Sequence, residues 1–224
     1  ASTISWIRNS TNDTKIISLD TWLGSLEHIM DQFPNDEWGR VVLDMRLGRP
    51  NFYDQFLKVI SEEKLLENVY PLNATSLAGM KFLNRLGSKF DVIYIDGSHE
   101  LVDVYLDLVS SVPLLQMQDK KTVGGVLCGD DFLWPDVATA VKMLAKSGSM
   151  TVFFKNNSWA ITEFLDLETK LNLEKLFKAN GWSNLNPSEM KQEELNSLLI
   201  VDKLVSIEQI KFALKNRNEF ETSL

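Results

Sequence analysis

Two short apolar runs, each stopped by aspartate and glycine, constrain this chain more than any other feature. Phe90-Asp91-Val92-Ile93-Tyr94-Ile95 ends at Asp96-Gly97, and Gly125-Val126-Leu127-Cys128 ends at Gly129-Asp130-Asp131. β-Branched and aromatic residues suit a pleated surface, and a short run bounded by turn formers reads as a buried strand. Between the two runs, Val102, Tyr105, Leu106, Val109, Val112 and Leu115 fall at helical spacing and form one apolar stripe. Strand, helix and strand in that order make a βαβ unit, whose strands lie parallel in one sheet.

The flanking segments extend the same alternation. Thr14-Lys15-Ile16-Ile17-Ser18-Leu19 reads as a strand ending at Asp20, and Asn68-Val69-Tyr70-Pro71-Leu72 as another. Pro71 has no N–H to donate, so that strand belongs at an edge. Pro135 opens a helix with Val137, Val141, Leu144 and Ala145 on one face. Residues 150–154 and 158–162 flank Lys155-Asn156-Asn157 as a β-hairpin. Beyond Glu163 the pattern predicts helices only, one starting at Asn186-Pro187 and one at a capping box of Ser206 and Gln209. Residues 27–50 show no sustained period and read as a long loop with short helical pieces. The expected fold class is therefore α/β, a doubly wound and mostly parallel sheet. Residues 1–162 form the α/β domain and close on the hairpin, and residues 163–224 form a helical extension.

Composition narrows the function classes. The 224 residues carry 23 Lys and Arg against 31 Asp and Glu, a net charge of −8 with no basic stripe. That argues against nucleic acid and against anionic membrane surfaces, since both need clustered cations. No apolar stretch approaches the length of a membrane helix and no signal-peptide pattern opens the chain, so a cytoplasmic protein is expected. The single cysteine, Cys128, lies in an apolar run and reads as a small buried hydrophobe. Four matches to the glycosylation pattern, at Asn9, Asn12, Asn73 and Asn156, are read as chance.

The chemistry-bearing residues gather at strand ends. Asp96-Gly97-Ser98-His99 and Gly129-Asp130-Asp131 both sit just past the carboxyl ends of neighbouring strands, where open α/β sheets bind their ligands. Three clustered carboxylates suit a hard divalent cation, and His99 could then take a proton from a hydroxyl held there. Aspartate and glycine are also ordinary turn formers, so the same residues admit a purely structural reading. Asp20 ends an earlier strand and is placed to accept hydrogen bonds from a ribose diol. Trp22 suits either a base-stacking surface or the core. No Gly-x-Gly-x-x-Gly, P-loop, Gly-x-Ser-x-Gly or paired-cysteine spacing is present.

Together these motifs resemble class I S-adenosylmethionine-dependent methyltransferases, in the branch of macrocin-type O-methyltransferases. The resemblance is carried by Leu19-Asp20-Thr21-Trp22-Leu23-Gly24-Ser25 with His28, and by Tyr94-Ile95-Asp96-Gly97-Ser98-His99. Asp103 and Asp107, Pro113-Leu114-Leu115, Gly124-Gly125-Val126, and Gly129-Asp130-Asp131 with Trp134-Pro135 continue it over residues 1–162. It implies that Asp20, with Trp22 nearby, binds the cofactor ribose and that Asn73 to Ser76 lie close to the adenine. It further implies Asp96 beside the cofactor, Asp96, Asp130 and Asp131 as ligands of Mg²⁺, and His99 as the general base. The family's first strand and Gly-rich turn have no counterpart, and residues 1–7 resemble the helix that follows that turn. A partner subunit, giving a homo-oligomer, or the apolar run Leu198-Leu199-Ile200-Val201 is a candidate for that place.

The function expected from sequence is methyl transfer from S-adenosylmethionine to a hydroxyl of a small molecule such as a sugar, assisted by Mg²⁺. The loop over 27–50, with Trp38, Arg40, Arg46 and Arg49, is read as a substrate lid or an ordinary solvated excursion. The rival reading is a non-catalytic methyltransferase-like interaction module; a metal-independent methyltransferase is a nearer one.

Overall fold

The structure, a computed structural model, describes residues 2–11, 13–24, 45–46, 49–50, 52–117 and 123–189. The chain divides into two compact units, Ala1–Phe82 and Leu83–Leu224. His28, Trp38, Arg40, the run 198–201 and the capping box at Ser206 lie outside the described residues.

The first unit opens on helix α1 (Ser2–Arg8), which buries Ile7. Strand β1 (Ile16–Asp20) follows, close to the expected span. β2 (Met45–Arg46) and β3 (Arg49–Pro50) pair antiparallel, so the end of the expected loop is a miniature ladder rather than a helical piece. Helix α2 (Phe52–Glu62) buries Ile60 and leads to β4 (Val69–Asn73). β4 runs parallel to β1 with Ser18 opposite Pro71 and Asp20 opposite Asn73. Among the described strands β1 is its sole partner, in keeping with a proline-bearing edge. Helix α3 (Ser76–Arg85) starts at the capping residue Thr75, whose hydroxyl accepts from the Ala78 N–H at 3.4 Å. Gly79 lets α3 approach β1 closely: a Cβ there would collide with the Leu19 side chain.

The second unit is built on five strands in the order β5-β6-β8-β7-β9. β5 (Val92–Ile95) and β6 (Val126–Gly129) are parallel, joined through helix α4 (Leu101–Ser111), which is the expected βαβ unit. α4 packs on α5 (Pro135–Ser147), the helix that follows β6. The hairpin β7 (Val152–Lys155) and β8 (Ser158–Ile161) turns through Asn156 and Asn157, with β8 antiparallel to β6. Helix α6 (Leu167–Ala179) precedes β9 (Ser183–Leu185), which adds antiparallel to β7. Leu108, Leu115, Leu127, Ala140, Val141, Val152 and Ile161 are fully buried and form the core of this unit.

Three expectations are corrected. The fold is mixed α/β, and among the described strands it is less parallel than expected: β1–β4 and β5–β6 are parallel pairs, while a hairpin and a returning strand complete the five-stranded sheet antiparallel. The segment after Glu163 is not helical throughout, since β9 belongs to the sheet. The apolar stripe of α4 is rotated from the expected one: Val104, Tyr105 and Leu108 are buried, while Val102 is exposed. Among the described residues, no helix is long and apolar enough to cross a membrane.

Candidate functional site

In the second unit, Ile95 and Gly129 are register partners at the carboxyl ends of β5 and β6, so Asp96 and Asp130 emerge side by side. The Asp130 N–H donates to the Ile95 carbonyl at 3.1 Å, extending the ladder by one bond. Gly129 is required here by close approach: a Cβ would collide with the Ile95 carbonyl and lie 2.6 Å from the Trp159 ring. Trp159, 1% exposed, fills that space and donates its indole N–H to the Asp130 carbonyl at 3.0 Å. Past Asp96, the Ser98 hydroxyl accepts from the Glu100 N–H at 3.1 Å and donates to Asp103 at 3.2 Å. The first N–H of α4, at Leu101, is met by the Asp136 carboxylate at 3.3 Å. Helix starts leave N–H groups unsatisfied, and these contacts fix the loop that presents His99.

His99 is the centre of the arrangement. Its Nε2 lies 3.0 Å from Asp131 Oδ2, and its ring stacks on Trp134 with centroids 4.6 Å apart and planes within 9°. Asp131 adopts φ +62°, a left-handed conformation that aspartate tolerates better than most residues. That conformation begins the turn closed by the Trp134 N–H to the Asp131 carbonyl at 2.9 Å. The other Asp131 oxygen, Oδ1, accepts from Asn157 Nδ2 at 2.8 Å. Asn157 stands at the hairpin tip and also takes the Phe132 N–H on its carbonyl at 2.7 Å and the Leu133 N–H on its Oδ1 at 3.1 Å. Leu133 and Trp134 are themselves exposed, Trp134 at 49%.

Tyr94, one residue inside β5, lies opposite Cys128 in the register. Burial raises its phenol well above the usual tyrosine range, and the negative charges of Asp96, Asp130 and Asp131 add to that shift. It is therefore a neutral hydroxyl donor throughout the working pH range. Burial likewise pushes the Cys128 thiol up to about 12. Its Sγ donates to the Ile93 carbonyl at 3.6 Å, so this cysteine is inert, as its apolar surroundings suggest.

In the first unit, Asp20 and Asn73 are also register partners at the carboxyl ends of parallel strands, and both are exposed. Asp20 Oδ1 accepts from the Trp22 N–H at 2.8 Å, and the Asp20 carbonyl from Ala74 at 3.0 Å. Trp22, at φ +52°, turns its ring into the core against Tyr53 and Phe56, with centroids 4.9 and 5.4 Å away. Ser76 is the first residue of α3. An exposed carboxylate beside an exposed amide fits a ribose diol, so Asp20 and Asn73 suit the nucleoside part of a cofactor. The Trp22 ring does not, because it is only 7% exposed and its faces are committed to packing.

The expected metal site is not supported by the arrangement of the donors. Asp96, Asp130 and Asp131 share one strand edge, and Tyr94 feels all three. Among the described residues, however, no group of three or more His, Cys, Asp or Glu side chains is disposed to hold a metal ion. At Asp131 each oxygen already has one partner, Oδ1 the Asn157 amide and Oδ2 the His99 ring. Asn157, Trp134 and Tyr94 were given no role from sequence. Trp134 and Tyr94 stood inside the motifs, whereas Asn157 reaches Asp131 from 26 residues away and leaves no local signal.

No protein-family model and no curated protein sequence matches the chain. Among solved structures it is similar to the apo structure of CalS11, TDP-rhamnose 3'-O-methyltransferase, an enzyme in calicheamicin biosynthesis. The TM-score is 0.43 at 12% sequence identity, over 66% of this chain and 59% of that one. The match thus spans less than two thirds of that enzyme's length.

Proposed function

We propose that this chain is an S-adenosylmethionine-dependent O-methyltransferase acting on a hydroxyl of a small molecule, with a sugar as the leading acceptor class. The observation that carries the reading is the imidazole of His99, anchored by Asp131 and laid flat on Trp134 just past the carboxyl ends of two parallel strands. The order and spacing of the Asp-Thr-Trp and Asp-Gly-Ser-His motifs support it.

Asp20 and Asn73 are the residues of the first unit suited to the cofactor's ribose and adenine, with Ser76 three residues beyond Asn73. Asp96 is the carboxylate of the second unit assigned to the cofactor and to the reaction. When bound, S-adenosylmethionine supplies an electrophilic methyl group on a sulfonium sulfur. The chain's part is to orient the acceptor and to remove its proton. His99 takes the hydroxyl proton, and the fixed ring geometry means that little reorganisation is needed when it does. Trp134 offers an exposed apolar face against which a ring-shaped acceptor can rest. No step is assigned to a metal ion.

Calorimetric titration with S-adenosylmethionine and S-adenosylhomocysteine tests the reading. Binding in the micromolar range, weakened by Asp20→Ala, supports it and justifies a screen of hydroxyl acceptors. A folded chain that binds neither compound overturns it in favour of a non-catalytic interaction module.

A further inference from the structure

The turn that carries Trp134 is held from outside itself. Residues 131–134 close on one internal bond, from the Trp134 N–H to the Asp131 carbonyl at 2.9 Å. Three further bonds tie the turn to Asn157 at the hairpin tip. The Asn157 backbone carbonyl accepts from the Phe132 N–H at 2.7 Å and its Oδ1 from the Leu133 N–H at 3.1 Å, while its Nδ2 donates to Asp131 Oδ1 at 2.8 Å. An acceptor toward Leu133 and a donor toward Asp131 are what one primary amide offers. Phe132 is buried and stacks on Phe154 of β7 with centroids 5.1 Å apart, so the same hairpin also grips the turn by an apolar contact. On the far side, Pro135 restricts the backbone of Trp134, which stands extended at φ −73° and ψ 126° as the N-cap of α5.

The indole that emerges from this frame is exposed, yet its plane lies within 9° of the His99 ring. Burial does not fix such a side chain; its backbone and its contact with His99 do. We propose that Asn157 is a positioning residue that acts through the 131–134 turn to lay Trp134 on His99. The β7–β8 hairpin thereby belongs to the candidate site. That the stack serves a methyl acceptor rests on the reading of Trp134 as the surface beneath it.

The experiment is carbon–proton NMR of the histidine rings in the full chain, at one pH above the ordinary histidine range, with His99→Gln identifying the His99 signals. A proton lying over an aromatic face is shielded. The His99 ring protons should therefore resonate upfield of their positions in the urea-unfolded chain, and Trp134→Leu should abolish that displacement. Asn157→Ala keeps the backbone carbonyl for Phe132 but loses both side-chain bonds, so at least half of the displacement should be lost. Asn157→Asp is the second variant: it keeps an acceptor for Leu133 but sets a like charge against Asp131, and should lose as much. Two controls should keep the full displacement. Asn156→Gly changes the neighbouring tip residue, whose φ of +53° suits glycine. Phe177→Leu weakens the contacts of Phe177 with Phe153 and Trp182 and should lower the melting temperature without moving the His99 signals.

Full wild-type displacement in either folded Asn157 variant overturns the proposal. So does a loss in Phe177→Leu equal to that in Asn157→Ala, because the stack would then follow overall stability rather than the turn. A wild-type displacement that Trp134→Leu does not remove overturns it as well. None of these readouts needs cofactor or turnover, so the inference can fail while methyl transfer stands, and the reverse.

Discussion

Two strand ends in this protein carry an aspartate beside a tryptophan, and they use them in opposite ways. At the end of β1, Asp20 folds back on its own loop to accept the Trp22 N–H, and the indole goes into the core with Tyr53 and Phe56. Past the end of β6, Asp131 reaches outward to a histidine and an asparagine that lie 32 and 26 residues away, and the exposed Trp134 stacks on that histidine. The first arrangement is made by three consecutive residues around an exposed carboxylate. The second is made by three separate segments and leaves an imidazole fixed in one orientation. A short-range hydrogen bond builds a turn, and long-range ones tie separate segments into one side-chain cluster.

The largest effects should fall on the packing beneath these strand ends. Trp159 fills the space that Gly129 leaves open and is bonded to Asp130. Trp159→Ala should cost about 4 kcal/mol, in the range for a large buried aromatic. Trp22→Ala should cost less, about 3 kcal/mol, because its loop neighbour Leu23 is already exposed. Urea denaturation measures both, and a larger loss at Trp22 would reverse the ranking of the two regions. Comparable in size is a kinetic effect at Cys128, on the strand that leads to Asp130. With its thiol pushed up to about 12, alkylation at mildly alkaline pH should run about a thousandfold slower in the native chain than in urea. Native and denatured rates within tenfold of each other would show that this edge is open to water.

Replacements at Asp131 separate backbone strain from side-chain anchoring. Asp131→Ala loses both hydrogen bonds and keeps a Cβ at φ +62°, so it should destabilise by about 2 kcal/mol. Asp131→Gly loses the same bonds and relieves the strain, which should recover about 1 kcal/mol. Equal losses in a denaturation series would mean that the turn itself stores no strain.

What could be read in the sequence follows the same division by range. The strands around Ile93 and Leu127, the helix opened by Pro135 and the hairpin at Asn156 each declare themselves within a few residues, through β-branched runs, a fixed proline φ and turn chemistry. So does Asp20 at the end of its strand. β9 does not, because Ser183-Asn184-Leu185 has no apolar alternation and exists through backbone pairing with β7. The face of α4 is not legible because Val102 and Val104 are equally apolar, and only tertiary packing buries Val104. At the candidate site, His99 and the carboxylates were visible as strand-end residues. Their partnership was not, since Asn157 reaches Asp131 from the hairpin tip, 26 residues away.

At Asp20 the comparison predicts a separation of stability from binding. Asp20→Asn keeps an oxygen for the Trp22 N–H, so stability should stay within about 0.5 kcal/mol of wild type. The charge that suits a ribose diol is gone, and affinity for S-adenosylhomocysteine should drop about tenfold, or 1.4 kcal/mol. Calorimetry and thermal melting of one sample check both. A variant that melts early while binding normally would make Asp20 a turn residue and nothing more.

The smallest effect is expected where an aspartate acts through local bonds alone, at the start of α6. Asp166 accepts from the N–H groups of Glu168 and Thr169, both at 3.0 Å, as an N-cap. Hydrogen bonding from Thr169, and then from Glu168, holds its carboxyl below the usual aspartate range. A depressed folded-state value means that the unfolded chain binds the proton first as acid is added. The cap therefore contributes fully above the unfolded pKa, and its contribution is lost as the pH falls through the lower folded value. Asp166→Asn keeps a capping oxygen without the titration, so its melting temperature should fall less steeply than that of wild type on the acid side of the aspartate range. Parallel acid profiles would mean that Asp166 caps α6 by geometry alone, as a neutral acceptor would.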